Sequence, residues 1–204
     1  MTLKLSRFAI SNLLLVACFT VYFLAKQNFE FLIYAVSIGI LIGIFEKTDR
    51  IFQYTTPAKI GFTIWLFLHL LGGTVYINNV RLYDMMLIDI AGEPFNIFKY
   101  DQAVHAYCYF VMTLFIHSIV LHVSRPDANR ITFGLITALA TLGVSAINEI
   151  IEFSAVAFFD SKGVGGYFNN ALDLVFNLAG ILFALAFLWY RKRLFELSSN
   201  PKGD

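Results

Sequence analysis

Two pairs of ionisable side chains in the second half of the chain are spaced to share a helix face. Asp101 and His105 are four residues apart, and Glu149 and Glu152 are three residues apart. In an α-helix both spacings bring the two side chains onto one face. Carboxylates and imidazoles grouped in this way are typical of metal sites and of general acid–base centres. Each pair is therefore a candidate for chemistry.

Amide and carboxylate side chains form a third stripe, in the segment NNALDLVFNLAG. Its members follow one another at helical intervals of three, four and three residues: Asn170, Asp173, Asn177 and Gly180. A fourth group lies in LHLLGGTVY, on roughly one face: His69, Gly72, Gly73 and Tyr76. We expect the glycines to let neighbouring helices approach closely around these polar side chains.

The segments that carry these residues are long and apolar. The chain has 204 residues, of which 58% are hydrophobic and 14% charged, whereas soluble domains carry about 25% charged residues. Its mean hydropathy is +0.70. A transmembrane helix needs about 20 apolar residues, and six such runs lie near residues 6–26, 29–46, 57–79, 101–123, 130–158 and 168–190. The sequence predicts an all-α polytopic bundle of six transmembrane helices, in one domain over residues 1–204.

Basic residues indicate the orientation of the predicted bundle. Of the 15 Lys and Arg residues, all but four would lie on the side of the termini, the four being Lys26, Arg81, Lys99 and Lys162. The side that is richer in Lys and Arg faces the cytoplasm, so we expect both termini to be cytoplasmic. The net charge of +1 gives no sign of nucleic-acid binding.

This orientation places the polar groups at a similar depth. The runs that carry His69 and Glu149 travel outward, and the runs that carry Asp101 and Asp173 start from the outside. We therefore predict one cavity in the outer half of the membrane, whose metal-ligand candidates are His69, His105, Glu149, Glu152 and Asp173. The predicted rim or outer shell of this site consists of Asp101, Asn148, Asn170, Asn177 and Tyr76.

Acidic side chains at this depth need partners. An acidic residue deep in a bilayer costs roughly 3 kcal/mol on insertion scales, and the interiors of the runs contain no Lys or Arg. Three solutions are open: a divalent metal such as Zn²⁺, Mn²⁺ or Fe²⁺, a proton or ion pathway, or a structural network of polar side chains. The mixed set of nitrogen and oxygen donors favours the metal.

The order of these motifs resembles a known family. LHLLGG, YDQAVHAY, NEIIEF and NNALDLVFNLAG follow the order of the YjdF-like family of bacterial inner-membrane proteins, whose function is not established. Asp173, Asn177 and Gly180 are also similar to a motif of the VanZ-like proteins, which are associated with glycopeptide-antibiotic resistance. Two positions depart from these patterns: Glu152, where VanZ-like proteins more often have Gln, and Asn169, where YjdF-like members often have Asp. The resemblance implies a shared polar site in the bacterial cytoplasmic membrane, and the missing acid argues against two metals.

Two classes of function follow. The first is a metal-dependent enzyme that acts on a lipid or lipid-linked substrate at the outer leaflet, with Glu149 as general base. The second is a proton- or ion-coupled transporter, and a non-catalytic assembly role stands beside both. Against transport, the sequence has no detectable internal repeat and no polar stripe through the cytoplasmic half. The loop at residues 78–100 alternates acids with apolar residues, so it is either an interfacial connection or a lid over the site.

Overall fold

The described part of the chain forms six α-helices joined by short connections. A computed structural model describes residues 4–93, 95–125, 128–159 and 167–199, so Lys162 lies outside the described residues. The helices are α1 (Arg7–Ala25), α2 (Phe29–Phe52), α3 (Thr56–Thr74), α4 (Tyr100–Val123), α5 (Arg130–Phe159) and α6 (Tyr167–Ser199). Between α3 and α4 lie two antiparallel strands, β1 (Tyr76–Ile77) and β2 (Val80–Arg81), and a 3₁₀-helix, η1 (Leu82–Asp84).

The predicted all-α bundle is confirmed, and five of its helices are long and apolar enough to cross a membrane. The five candidate spans are Arg7–Ala25, Phe31–Phe52, Tyr100–Val123, Arg130–Ser154 and Tyr167–Arg191. Helix α3 is not among them, because Lys59 near its start and His69 near its end lower its mean hydropathy. At 19 residues it is nevertheless about 28 Å long at 1.5 Å per residue.

The third predicted run was wrong at its C-terminal boundary. The predicted run continues to residue 79, but α3 ends at Thr74 and the chain turns back as a hairpin. Asn78 and Asn79 have φ angles of 50° and 65°. Two consecutive residues with positive φ form the tight turn that joins antiparallel strands, and Asn adopts that conformation readily. The turn at Asn78 and Asn79 therefore sets the end of the third segment, and α3 stops before the apolar residues Val75, Tyr76 and Ile77.

Helix α2 extends six residues past its predicted end at residue 46. The added turns are polar and carry Asp49, which forms an ion pair with Lys59 at the start of α3, 2.6 Å between Oδ2 and Nζ. The helix ends at Phe52, and the following residue, Gln53, adopts the left-handed conformation. Hydropathy alone could not show this extension, because the added residues 47–50 are polar. Helix α6 also continues past its predicted end, to Ser199.

Helix α4 is the centre of the bundle and packs against α3, α5 and α6. Gly180 of α6 lies directly against the backbone of α4, because a Cβ atom there would overlap the carbonyl oxygen of Ala106. The close approach expected at this glycine is thus present. Deeper in the bundle, Phe45 and Phe115 stack with ring centroids 4.0 Å apart, and Phe62 packs edge-on against Phe45.

The bundle has two ends, which are used as reference points below. At the site end, α3 and α5 finish and α4 and α6 begin, and the Tyr100 hydroxyl donates to the carbonyl oxygen of Leu68 across that end. At the opposite end, α1 and α3 begin and α2 finishes, and Ser6 donates from its backbone and side chain to the Glu46 carboxylate.

Candidate metal site

His105 lies at the centre of the polar cluster at the site end. Its Nε2 atom is 3.5 Å from Asp101 Oδ1 and 3.9 Å from Glu152 Oε1, and its Nδ1 atom is 3.6 Å from Glu149 Oε1. Nδ1 is also 3.1 Å from the amide oxygen of Asn177. The side chain of His105 is 11% exposed. One imidazole on α4 is therefore surrounded by acids from its own helix and from α5.

Asparagine amides hold the carboxylates in place. Asn148 donates to Glu152 at 2.8 Å, one helical turn away on α5. Asn170 and Asn177 of α6 donate to the two oxygens of Glu149, at 2.7 Å and 3.1 Å. Amide N–H groups satisfy lone pairs of these carboxylates without adding positive charge. The acids are thus oriented by hydrogen bonds while their negative charge stays in the cluster.

Asp173 is the most completely buried acid of the site, with no exposed surface. One of its oxygens, Oδ2, accepts a hydrogen bond of 2.7 Å from Asn169, which also donates to Asp101 at 3.1 Å. The other oxygen, Oδ1, is buried and has no hydrogen-bond partner in the described part of the chain. Buried polar atoms in proteins are nearly always satisfied, so this oxygen points to a partner outside the described residues, such as a bound ion.

Asp173 also belongs to two groups of atoms that could each hold a metal ion. One group is formed with Asp101 and His105, and the other with Glu149 and Glu152. Within each group the ligand atoms lie within 4.8 Å of one another. One imidazole nitrogen and several carboxylate oxygens are a donor set that suits Zn²⁺, Mn²⁺ or Fe²⁺. The geometry and the donor chemistry are therefore compatible with a bound divalent cation.

Most of the side chains that the sequence assigns to the site lie together. The structure brings together residues from α4, α5 and α6, namely Asp101, His105, Asn148, Glu149, Glu152, Asn170, Asp173 and Asn177. Tyr76 is not among them, because α3 ends before it and its side chain, in β1, is 59% exposed. The prediction that Tyr76 shares a helix face with His69 required α3 to continue past Thr74.

His69 lies beside this cluster and not within it. Its Nδ1 atom is 2.5 Å from the hydroxyl of Tyr83 in η1, and it belongs to neither group of potential metal ligands. Its ring packs among aromatic rings, including Trp65 with centroids 5.4 Å apart. Burial, followed by the charge of Asp101, raises the pKa of Tyr83 well above its usual value, so this phenol stays protonated.

The second nitrogen of His69, Nε2, is buried without a hydrogen-bond partner among the described residues. Whichever atom donates between Tyr83 and Nδ1, Nε2 is left with an unused donor or acceptor. His69 lines a cavity of about 360 Å³ that also reaches His105, Asn148 and Glu152. His69 is thus placed on the far side of a cavity that leads to the carboxylate cluster.

Two residues of the site were not assigned to it from the sequence. Asn169 bridges Asp101 and Asp173, and its spacing of four residues from Asp173 was a signal that could have found it. Tyr83 reaches His69 from the loop between α3 and α4, and is only 8% exposed. No periodic pattern could have found Tyr83, because its position depends on how that loop folds back over α3.

Comparison with protein families identifies the broader group to which this chain belongs. The family described as "Predicted membrane protein (DUF2238)" matches residues 7–193, which include all six helices up to the polar end of α6. The chain belongs to the DUF2238 family. Comparison with curated proteins gave no match, and neither did comparison with solved structures. Membership confirms the prediction of a membrane protein, and the resemblance to YjdF-like and VanZ-like proteins stays a prediction.

Proposed function

We propose that this DUF2238 protein binds a divalent metal ion at the site end and is a metal-dependent enzyme acting on a membrane lipid or lipid-linked substrate. The observation that carries the proposal is Asp173 Oδ1, a buried carboxylate oxygen that has no hydrogen-bond partner among the described residues and whose residue belongs to two groups of potential metal ligands. A cation is the partner that satisfies both the lone pair and the charge. Zn²⁺, Mn²⁺ and Fe²⁺ fit the donors.

The proposed ligands are His105, Glu149, Glu152 and Asp173, with Asp101 as a further donor at the rim. A divalent metal bound there would polarise a carbonyl or phosphoryl oxygen and lower the pKa of a bound water. Asn148, Asn170 and Asn177 orient the acids through their amides, which is the role of outer-shell partners in metal sites.

Glu149 is proposed either as a ligand or as the general base that accepts a proton from water. Each of its oxygens accepts one amide hydrogen bond, which leaves a second lone pair on each. The two roles make different predictions for Glu149→Gln. Loss of a ligand lowers the metal affinity, whereas loss of a base leaves the metal affinity nearly unchanged and removes turnover.

The packing between the carboxylate cluster and the opposite end of the bundle favours an enzyme over a transporter. Toward the opposite end, Phe45, Phe62 and Phe115 pack together and are almost completely buried. A continuous pathway for ions would need polar or hydrated groups that are free to bind them at this depth. Buried hydroxyls do continue below Glu149 on α5, but those of Thr137 and Thr141 donate to carbonyl oxygens of their own helix. A purely structural network is also less favoured, because the network formed by the described residues leaves Asp173 Oδ1 without a hydrogen-bond partner.

We further propose that all six helices span the bacterial cytoplasmic membrane, with both termini in the cytoplasm and the site end in the outer leaflet. The excess of Lys and Arg on the side of the termini supports this orientation. A reporter enzyme fused after Asp204 tests it. Activity of a reporter that works only in the cytoplasm is expected, and activity of one that works only outside would overturn the orientation.

Binding of Mn²⁺ to protein stripped with a chelator tests the metal site directly, because free and bound Mn²⁺ differ in their electron paramagnetic resonance spectra. We expect saturable binding by the wild type and a much lower affinity for Glu152→Gln, which keeps the side-chain size and removes one charge. Asp49→Asn, in the half-buried ion pair at the opposite end, is the matched control and should bind as the wild type does. Equal binding by all three proteins would contradict the proposal.

A further inference from the structure

The cavity beside His69 extends away from the carboxylate cluster as an apolar groove. Its walls come from α2 and α5, and its floor comes from α3 and α4, with Trp65, Val104 and Met112 among the floor residues. These floor residues are buried. Its polar lining is concentrated at the site end, where His69, Asn148 and Glu152 lie. The groove therefore has one polar end and an apolar body, which is the chemical pattern of an amphiphile.

The groove opens sideways, in the direction that faces lipid. Ile40 and Ile44 on α2 form one lip, and Ile147 and Ile151 on α5 form the other. All four are exposed, although the floor between them is buried. In a membrane protein the exposed apolar surface of a spanning helix faces hydrocarbon. The lips are thus continuous with the lipid-facing surface, and a hydrocarbon chain can enter without crossing water.

The length of the groove matches one leaflet. Along α2 its lining runs from Tyr34 to Ile44, a rise of about 15 Å at 1.5 Å per residue. The hydrocarbon core of a bilayer is about 30 Å thick, so the groove spans roughly half of it. A cavity of about 360 Å³ is also within the range of about 300–1,000 Å³ that is usual for ligand pockets.

We propose that this groove holds one hydrocarbon chain of a membrane lipid, with the polar group of that lipid facing His69, Asn148 and Glu152. The apolar body of the groove offers water few hydrogen-bonding partners, and an empty groove would lose van der Waals contacts along its walls. A lipid chain restores those contacts, and the unpartnered Nε2 of His69 gives the polar group a hydrogen-bonding partner. This assignment of the substrate class rests on the proposed function.

The fluorescence of Trp65 can report a lipid chain in the groove, because Trp65 lies on the groove floor about one turn below His69. The chain has two tryptophans, and the second, Trp189, is 60% exposed on α6. In a Trp189→Phe background the fluorescence therefore reports on Trp65 alone. Bromine atoms on lipid chains quench tryptophan on contact. The protein is reconstituted into vesicles of phosphatidylcholine with brominated chains, and vesicles of unlabelled phosphatidylcholine give the reference.

We expect brominated lipid to quench Trp65 although this side chain is buried in the bundle. Val144→Phe fills the groove from α5 and should remove that quenching, and Ile40→Phe does the same from α2 if the first variant folds poorly. Ile150→Phe is the matched control, since Ile150 is exposed on the same helix but does not line the groove, and it should leave the quenching intact. Quenching that is absent in the wild type, or unchanged in both filling variants, would overturn the proposal.

The position of the bromine tests the orientation of the chain. Because Trp65 is close to the polar end, bromines near the ester groups should quench it more strongly than bromines near the chain terminus. The reverse order would overturn the orientation. Asp173→Asn separates this proposal from the metal site: it should lose metal and keep the quenching. If the wild type binds metal and Asp173→Asn loses the quenching, lipid binding in the groove depends on the metal site, which would contradict the proposal.

Discussion

The two ends of the bundle stabilise their carboxylates in different ways. At the opposite end, Asp49 pairs with the ammonium group of Lys59, and both side chains are about 30% exposed. Glu46 accepts two hydrogen bonds from Ser6 in a half-buried position. Water and a basic side chain are both available there. These acids have the ordinary partners of a protein surface.

At the site end, four carboxylates surround one imidazole, and their other partners are asparagine amides. Glu149 and Glu152 have side chains only 5% and 13% exposed, and Asp173 has no exposed surface. One protonated imidazole could balance only one of the four negative charges. The comparison shows that hydrogen-bond satisfaction and charge neutralisation are separate requirements. At the site end, asparagine amides satisfy the hydrogen bonds of the carboxylates, and the proposed metal neutralises their charge.

Removal of the metal should have the largest effect, and only at the site end. With free metal at about 100 times its Kd, a bound ion contributes about 2.7 kcal/mol to stability. We expect a chelator to lower the thermal midpoint of the wild type and to leave that of Asp173→Asn nearly unchanged. Thermal unfolding in detergent with and without chelator measures this difference. A chelator effect of the same size in both proteins would mean that the metal binds elsewhere.

Replacement of a buried asparagine should cost more at the site end than at the opposite end. Asn177 donates to Glu149, whereas Asn12, equally buried, donates to the carbonyl oxygen of Phe8 and the hydroxyl of Thr63. Hydrogen bonds to charged groups contribute about 1.5–3 kcal/mol and neutral ones about 0.5–1.5 kcal/mol. Asn177→Leu should therefore be the more destabilising of the two in denaturant unfolding. A larger loss for Asn12→Leu would remove the distinction between the two ends.

The hydrogen bond between Tyr83 and His69 should contribute about 1 kcal/mol. Tyr83→Phe removes the hydroxyl and keeps the ring that packs against Gly72. The raised pKa of Tyr83 adds a dependence on pH, since its ordinary value is 10.0. Its contribution is fully present below that pH and is lost as the pH rises above it, because the unfolded phenol ionises first. The stability of Tyr83→Phe should fall less steeply above pH 10.0 than that of the wild type, and parallel curves would contradict this reading.

The ion pair at the opposite end should contribute least. Pairs between Lys and Asp that are exposed to solvent contribute about 0–1 kcal/mol and are weakened by salt, and water reaches both side chains of this pair. Asp49→Asn should therefore change the unfolding free energy only slightly, and the small difference should shrink as salt is added. If Asp49→Asn were as destabilising as Asn177→Leu, the two ends would not differ as described.

The sequence predicted the helices more reliably than their ends. Long apolar runs identify spans because the bilayer requires them, and each predicted run overlaps one helix. The end of α3 could not be predicted from hydropathy, since Tyr76 and Ile77 are as apolar as the helix before them. The turn at Asn78 and Asn79 decides that boundary. The extension of α2 likewise falls in a polar segment, where Asp49 pairs with Lys59 of the next helix.

The site was predictable where its residues follow helical spacing. Asp101 with His105, and Glu149 with Glu152, share faces that the sequence displays directly. The positions of His69 and Tyr83 depend on how the loop between α3 and α4 packs, so local spacing could not show that Tyr83 would engage His69. Nor could it show that Asp173 Oδ1 would have no hydrogen-bond partner among the described residues, because that depends on how several helices pack around it.

The metal content of the purified protein tests the central claim most directly. Wild type, Asp173→Asn and Asp49→Asn are purified in parallel without chelator, and their bound Zn, Mn and Fe are measured by elemental analysis against protein concentration. The account predicts one divalent metal ion per chain in the wild type and in Asp49→Asn, and a strong loss in Asp173→Asn with an intact fold by circular dichroism. Wild-type protein that stays free of metal even after metal is supplied, or Asp173→Asn that retains its metal, would contradict the account.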